Sequence, residues 1–257
     1  MKMGFLCLGV ILFCWWRDII REGFHGHHTR LVEKNLRLGM ILFIVSEVMF
    51  FFAFFRAFFH SSLAPTHLIG CVWPPSNIEI LSPFAVPFLN TALLLTSGAW
   101  ITLAHYNIVK GPETSLAEWR DYYEEKGVGW KREVFESYYY AEVTIESREQ
   151  FEKETQTAFL LTLSCGVIFL LVQFFEYVVA PFSIADSIYG STFFIITGFH
   201  GIHVMIGTIF IWVSAGRFGR YHFTSRNHFG FEASAWYWHF VDVVWLFVYI
   251  FVYYWAY

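Results

Sequence analysis

Six apolar stretches decide what this chain can fold into. They cover residues 3–20, 36–59, 83–105, 157–180, 188–215 and 231–257. A helix needs about 20 residues to cross the hydrocarbon core of a bilayer. Unpaired backbone groups are too costly there, so segments of this kind fold as helices. The chain is therefore expected to be all-α, a polytopic transmembrane helical bundle of six spans. Composition agrees: 56% of residues are hydrophobic and only 15% are charged, where a soluble domain carries roughly a quarter. Residues 3–16 lack a small-residue cleavage site, so no cleavable signal is expected.

Positive charge orients the spans. Arg17, Arg21, Arg30, Lys34 and Arg37 follow the first span, and Arg217, Arg220 and Arg226 follow the fifth. The connections at 60–86 and 181–187 carry no Lys or Arg. The basic loops thus share one side of the membrane, and both termini lie on the other. Residues 107–156 are different material. Twelve of the 21 acidic residues fall between Glu113 and Glu154, with no apolar run between them. This block reads as a charged insert on the basic-loop side. The expected organisation is 1–35 (first span and basic loop), 36–106 (two spans), 107–156 (insert) and 157–257 (three spans).

Several polar residues fall inside the spans. Glu47 stands near the middle of the second, where an ionised carboxylate costs about 2.5–3.5 kcal/mol or more. It must be protonated or hydrogen-bonded within the bundle. That leaves two readings, a proton- or lipid-related group and a helix–helix contact. His200 and His203 share a helix face three residues apart, and residues 228–245 carry Glu232, His239 and Asp242. On a helix these last three fall near one stripe, which cannot face lipid and must meet protein. A metal or haem site using His200, His203 and His239 is one alternative. However, the Glu-x-x-His pairs of four-helix di-iron sites are absent from every span. A transporter is another, but the sequence shows no internal repeat. Cys7, Cys14, Cys71 and Cys165 have no metal-site spacing. The loop from Trp15 to Thr29 combines Trp15, Trp16, Arg17, Arg21, His25, His27 and His28. Trp suits the headgroup level and Arg suits phosphate oxygens, so a phospholipid pocket stands there beside ordinary interface anchoring.

These residues carry a resemblance. Trp15-Trp16-Arg17-Asp18, Gly26-His27-His28-Thr29, Ser46-Glu47-Val48, His60-Ser61-Ser62-Leu63-Ala64-Pro65, Trp73-Pro74-Pro75, Gly198-Phe199-His200-Gly201-Ile202-His203 and the block 228–245 stand in order along the chain. In this the chain resembles cytochrome c oxidase subunit III over most of its length outside 107–156. The resemblance implies a subunit without catalytic residues, metal, haem or copper of its own, the haem and copper being in partner subunits. It implies seven helices split by a V-shaped lipid cleft, and this chain starts at what resembles the second. Another chain is then expected to supply the first. By motif match, Trp16, Arg21, His28 and Arg217 are phospholipid contacts, and Glu47 is the family's intramembrane carboxylate. The implied partners are subunit I as main contact, subunit II, accessory subunits and membrane lipid, with no nucleic acid. The implied location is the mitochondrial inner membrane, with both termini on the intermembrane-space side and the insert on the matrix side. The implied role is to stabilise the complex, bind phospholipid and support proton uptake during oxygen reduction and proton pumping.

Overall fold

The computed structural model describes residues 2–125, 138–225 and 227–257, and for 2, 5 and 111–148 the backbone alone. Among the described residues it is helical, with no strand. The helices are α1 (Lys2–Phe24), α2 (Arg30–Leu63), α3 (Val86–Glu125), α4 (Tyr138–Val179), α5 (Ser187–Phe218) and α6 (Phe229–Val248). A π-helical turn, Tyr249–Tyr254, continues α6. Five helical segments among the described residues are long and apolar enough to span a membrane: Arg30–Leu63, Val86–Lys110, Glu149–Val179, Ser187–Phe218 and Phe229–Tyr254. The first expected span coincides with α1, a helix of 23 residues. The chain is thus a polytopic helical bundle.

Two compact units divide it, Met1–Ser46 and Glu47–Tyr257. In the first unit, α1 ends in a tight turn. The amide of His25 donates to Arg21 O at 3.0 Å and that of His27 to Glu22 O at 3.0 Å. Gly26 takes the turn at φ 78°, a left-handed conformation that costs glycine little. Thr29 then opens α2, accepting the Glu33 amide at its carbonyl (2.9 Å).

In the second unit α6 is the central helix. Of its apolar window 56% is buried, against 33% for α3 and α4. The reason is its row of large rings. Trp238, Trp245 and Tyr253 are fully buried. Each indole N–H needs a partner once it leaves water, and α3 supplies both. Trp238 Nε1 donates to Ser97 Oγ at 2.9 Å, and Trp245 Nε1 to Thr91 Oγ1 at 3.0 Å. Glycine makes room for Trp238 on the other side. A Cβ on Gly166 or Gly207 would come within 2.8 or 2.9 Å of the indole. The C-terminal half of α2 closes the unit through Phe51, which meets Phe240 and His203.

The charged block 107–156 does not begin with a break. α3 runs on to Glu125 and α4 begins at Tyr138, so much of the block continues the flanking helices. Gly111 and Pro112, a stop signal by composition, lie inside α3. Most of the block's side chains, those of residues 111–148, lie outside those the structure describes.

Candidate functional site

Glu47 finds its partner on α5. Its Oε2 lies 2.8 Å from His203 Nε2. The other ring nitrogen of His203, Nδ1, lies 2.7 Å from the carbonyl oxygen of Phe199. A carbonyl only accepts, so Nδ1 carries a hydrogen and donates it. One hydrogen then remains between Nε2 and Oε2. Whether it sits on Glu47 or on His203, the pair is neutral overall. This is how a carboxyl is kept in a bundle interior without an unpaired charge. The side chains are 21% and 10% exposed, and rings enclose them. His203 packs on Phe51 (4.9 Å), Phe50 (6.1 Å) and Tyr237 (6.3 Å). Its place near the middle of the second span put Glu47 inside the bundle. His203, 156 residues away, was legible only as a span histidine.

The three histidines of the metal alternative are each engaged elsewhere. His200 is fully buried, with Nε2 at 3.1 Å from Val241 O and its ring against Trp245 at 5.0 Å. His203 is taken by Glu47. His239 lies between α3 and α6, with Nε2 at 3.4 Å from Thr102 Oγ1. Among the described residues no group of three or more His, Cys, Asp or Glu is arranged to hold a metal ion. The expected stripe of Glu232, His239 and Asp242 is split: Asp242 is buried, while Glu232 and His239 are half-buried.

Arg217 ends α5. Its guanidinium lies over the Phe223 ring at 4.5 Å, a cation–π geometry. It also closes on Gly230, where a Cβ would collide with Nη1. Its Nε is buried without a partner. Among the described residues no ion pair includes Arg217. Its backbone carbonyl accepts the amides of Arg220 (3.2 Å) and His222 (3.1 Å), which gathers basic groups at this corner. Burial, and then the charges of Arg217 and Arg220, hold the His222 imidazole below its ordinary pKa. The Tyr221 hydroxyl in this corner reaches the Glu152 carboxylate at 3.2 Å, and the guanidinium of Arg217 is the group there that suits an anion. Sequence reasoning singled out Arg217. It missed Gly230, whose missing side chain makes the space.

The remaining expected site residues lie in the first unit. Trp16 is exposed on α1 at 58%. Arg21 is exposed on the last turn of α1, and its carbonyl accepts from His25 Nδ1 at 2.6 Å. Five residues apart, Trp16 and Arg21 stand about 140° apart around the helix, so α1 does not put them on one face. His28 is half-buried against Gly23, where a Cβ would meet its ring at 3.2 Å.

Known proteins align with this chain throughout. The family described as "Cytochrome c oxidase subunit III" matches residues 1–118 and 137–257. The chain is 47% identical over 261 residues to cytochrome c oxidase subunit 3 of Lumbricus terrestris, covering 98% of this chain and 86% of that one. It is 49% identical over 257 residues to the same subunit of Cyprinus carpio, covering 100% of this chain and 84% of that one. The stretch the family leaves unmatched falls within the charged block.

Proposed function

The chain belongs to the cytochrome c oxidase subunit III family, and from that premise we propose that it is a non-catalytic core subunit of the oxidase. It would lie in the mitochondrial inner membrane beside subunit I, its main contact, with subunit II and accessory subunits. The haem and copper would be held by those partners. In this reading the chain stabilises the complex, binds phospholipid and supports proton uptake while the complex reduces oxygen.

Arg217 carries the lipid part of the reading. A guanidinium at a helix end, next to Arg220 and His222 and in no ion pair among the described residues, suits a phosphate oxygen pair. Phe223 and Gly230 fix its direction. In the first unit Trp16, Arg21 and His28 offer headgroup-type contacts of their own. The Glu47–His203 pair has a different part. Its hydrogen-bond chain ends on the Phe199 carbonyl, which cannot pass a proton on. The pair therefore serves proton uptake indirectly, by holding α2 against α5.

The test is Arg217→Gln in the assembled oxidase, with retained phospholipid measured by mass spectrometry after detergent washing. The substitution removes the positive charge and keeps a shorter, polar, hydrogen-bonding side chain. Loss of a tightly held phospholipid is expected, with haem content unchanged. An unaltered lipid complement would remove Arg217 from the reading.

A further inference from the structure

The connection between α4 and α5 holds an open cleft of about 680 Å³, lined by Tyr177, Pro181, Phe182, Asp186 and Phe194 among others. That is the size of a small-ligand pocket. It lies just past the membrane-spanning segments Glu149–Val179 and Ser187–Phe218, at headgroup level. Arg217 stands at the other end of α5, a helix of 32 residues. Rings form the walls. Phe194 meets Tyr177 at 5.0 Å and 70°, and Phe182 at 5.6 Å and 61°. The Tyr177 hydroxyl is held by Thr197 Oγ1 at 2.6 Å, so its ring, not its oxygen, serves the cleft.

The charge at the rim is negative. Asp186 is exposed, and among the described residues it is in no ion pair. Residues 154–216 carry no Lys or Arg. Aromatic walls with one carboxylate suit a cation. The hydrogen bonding says which kind. Ser183 O already accepts the Asp186 amide (3.1 Å), Ala185 O the Ser187 amide (3.1 Å) and Ile184 O the Ser191 hydroxyl (2.8 Å). Asp186 Oδ2 already accepts twice from Ser183. A primary ammonium brings three N–H donors and meets acceptors that are already engaged. A quaternary ammonium brings none, and ring faces recognise it. Below the cleft α4 turns Leu171, Phe174 and Val178 outward. Their spacing of three and four residues puts them on one face, an apolar strip that suits acyl chains.

We propose that this cleft binds the trimethylammonium headgroup of a phosphatidylcholine whose acyl chains lie along Leu171, Phe174 and Val178. Tyr177, Phe182 and Phe194 supply the rings and Asp186 the counter-charge. The phosphate stays hydrated in the headgroup layer. The site needs only the membrane-spanning bundle and stands apart from the oxidase reading and from the Arg217 corner.

The experiment uses the intact complex in phosphatidylethanolamine vesicles containing a small fraction of a lipid probe with a diazirine in its acyl chain. The probe carries either a choline or an ethanolamine headgroup, and mass spectrometry maps its adducts. Several-fold more label is expected on Phe174, Tyr177 and Val178 with the choline probe. Ile206, exposed on the apolar outer face of α5, should take both probes equally. Equal labelling of the cleft by the two probes would overturn the proposal, and so would a choline excess of the same size at Ile206. Asp186→Asn removes the charge and Phe194→Leu removes a ring. Each is expected to abolish the choline excess at the cleft and leave Ile206 unchanged. A choline excess that survives either substitution would overturn the proposal.

Discussion

His203 donates from Nδ1 to the Phe199 carbonyl and faces Glu47 with Nε2, so the two residues share one hydrogen. Both unpaired groups would be costly in a bundle interior. Each side chain is therefore the condition for the other. Glu47→Gln keeps a donor toward Nε2 and is expected to be nearly neutral for stability. Glu47→Leu and His203→Leu should each destabilise. In a double-mutant cycle, unfolding in mixed micelles should give a coupling of about 0.6–1.7 kcal/mol, the range of interhelical hydrogen bonds in membranes. Additive single effects would show that the contact is not energetically used.

Trp238 is held between Gly166 and Gly207, where a Cβ would come within 2.8 and 2.9 Å of the indole. The indole is anchored to Ser97 and cannot retreat freely. Gly207→Ala should therefore overpack the core and cost about 1–3 kcal/mol. Thermal unfolding of the assembled complex, followed by tryptophan fluorescence, checks this. Gly216→Ala serves as control, because nothing lies within 4 Å of its Cβ position.

Gly230→Ala tests the Arg217 corner without removing its charge. The added methyl collides with Nη1 and should turn the guanidinium away from Phe223. Phospholipid retention is expected to fall as it does in Arg217→Gln. Full retention would show that the direction of the guanidinium does not matter.

Asp186 precedes α5 and binds the turn behind it. Its Oδ2 accepts the Ser183 amide at 2.7 Å and the Ser183 hydroxyl at 3.0 Å. Those two bonds hold its carboxyl below the ordinary 3.8. A depressed folded value means that the unfolded chain binds the proton more readily. The stabilisation is thus fully present above the ordinary value and is lost as pH falls through the lowered one. The protection of the Ser183 amide, its hydrogen-exchange rate relative to that of an unstructured peptide at the same pH, should fall on acidification through that window. In Asp186→Asn the exchange should be faster at neutral pH and lose this acid dependence.

Much of the fold was legible because lipid enforces it. Runs of apolar residues must become helices, and α2 through α6 lie where those runs lie. The block 228–245 reads as a packed helix because its ionisable residues cannot face lipid, and α6 is the central helix of its unit. The continuation of α3 past Gly111 and Pro112 was not legible, since both residues locally favour a stop. The Glu47–His203 contact was half legible. Depth in a span demands a partner for Glu47, but no local pattern says which of several span histidines supplies it. The role of Gly230 was hidden for a related reason. A glycine's value lies in what approaches it, and here that is a side chain from another helix.

The central claim is that this chain is a subunit of cytochrome c oxidase that holds no redox centre itself. The most direct measurement is to purify the complex through a tag on this chain, record its optical spectrum and metal content, then separate the subunits and repeat both. The account predicts haem and copper in the complex, carried by other polypeptides, and neither on this chain after separation. A chain that purifies without haem-bearing partners, or that keeps a stoichiometric haem or metal when isolated, would contradict it.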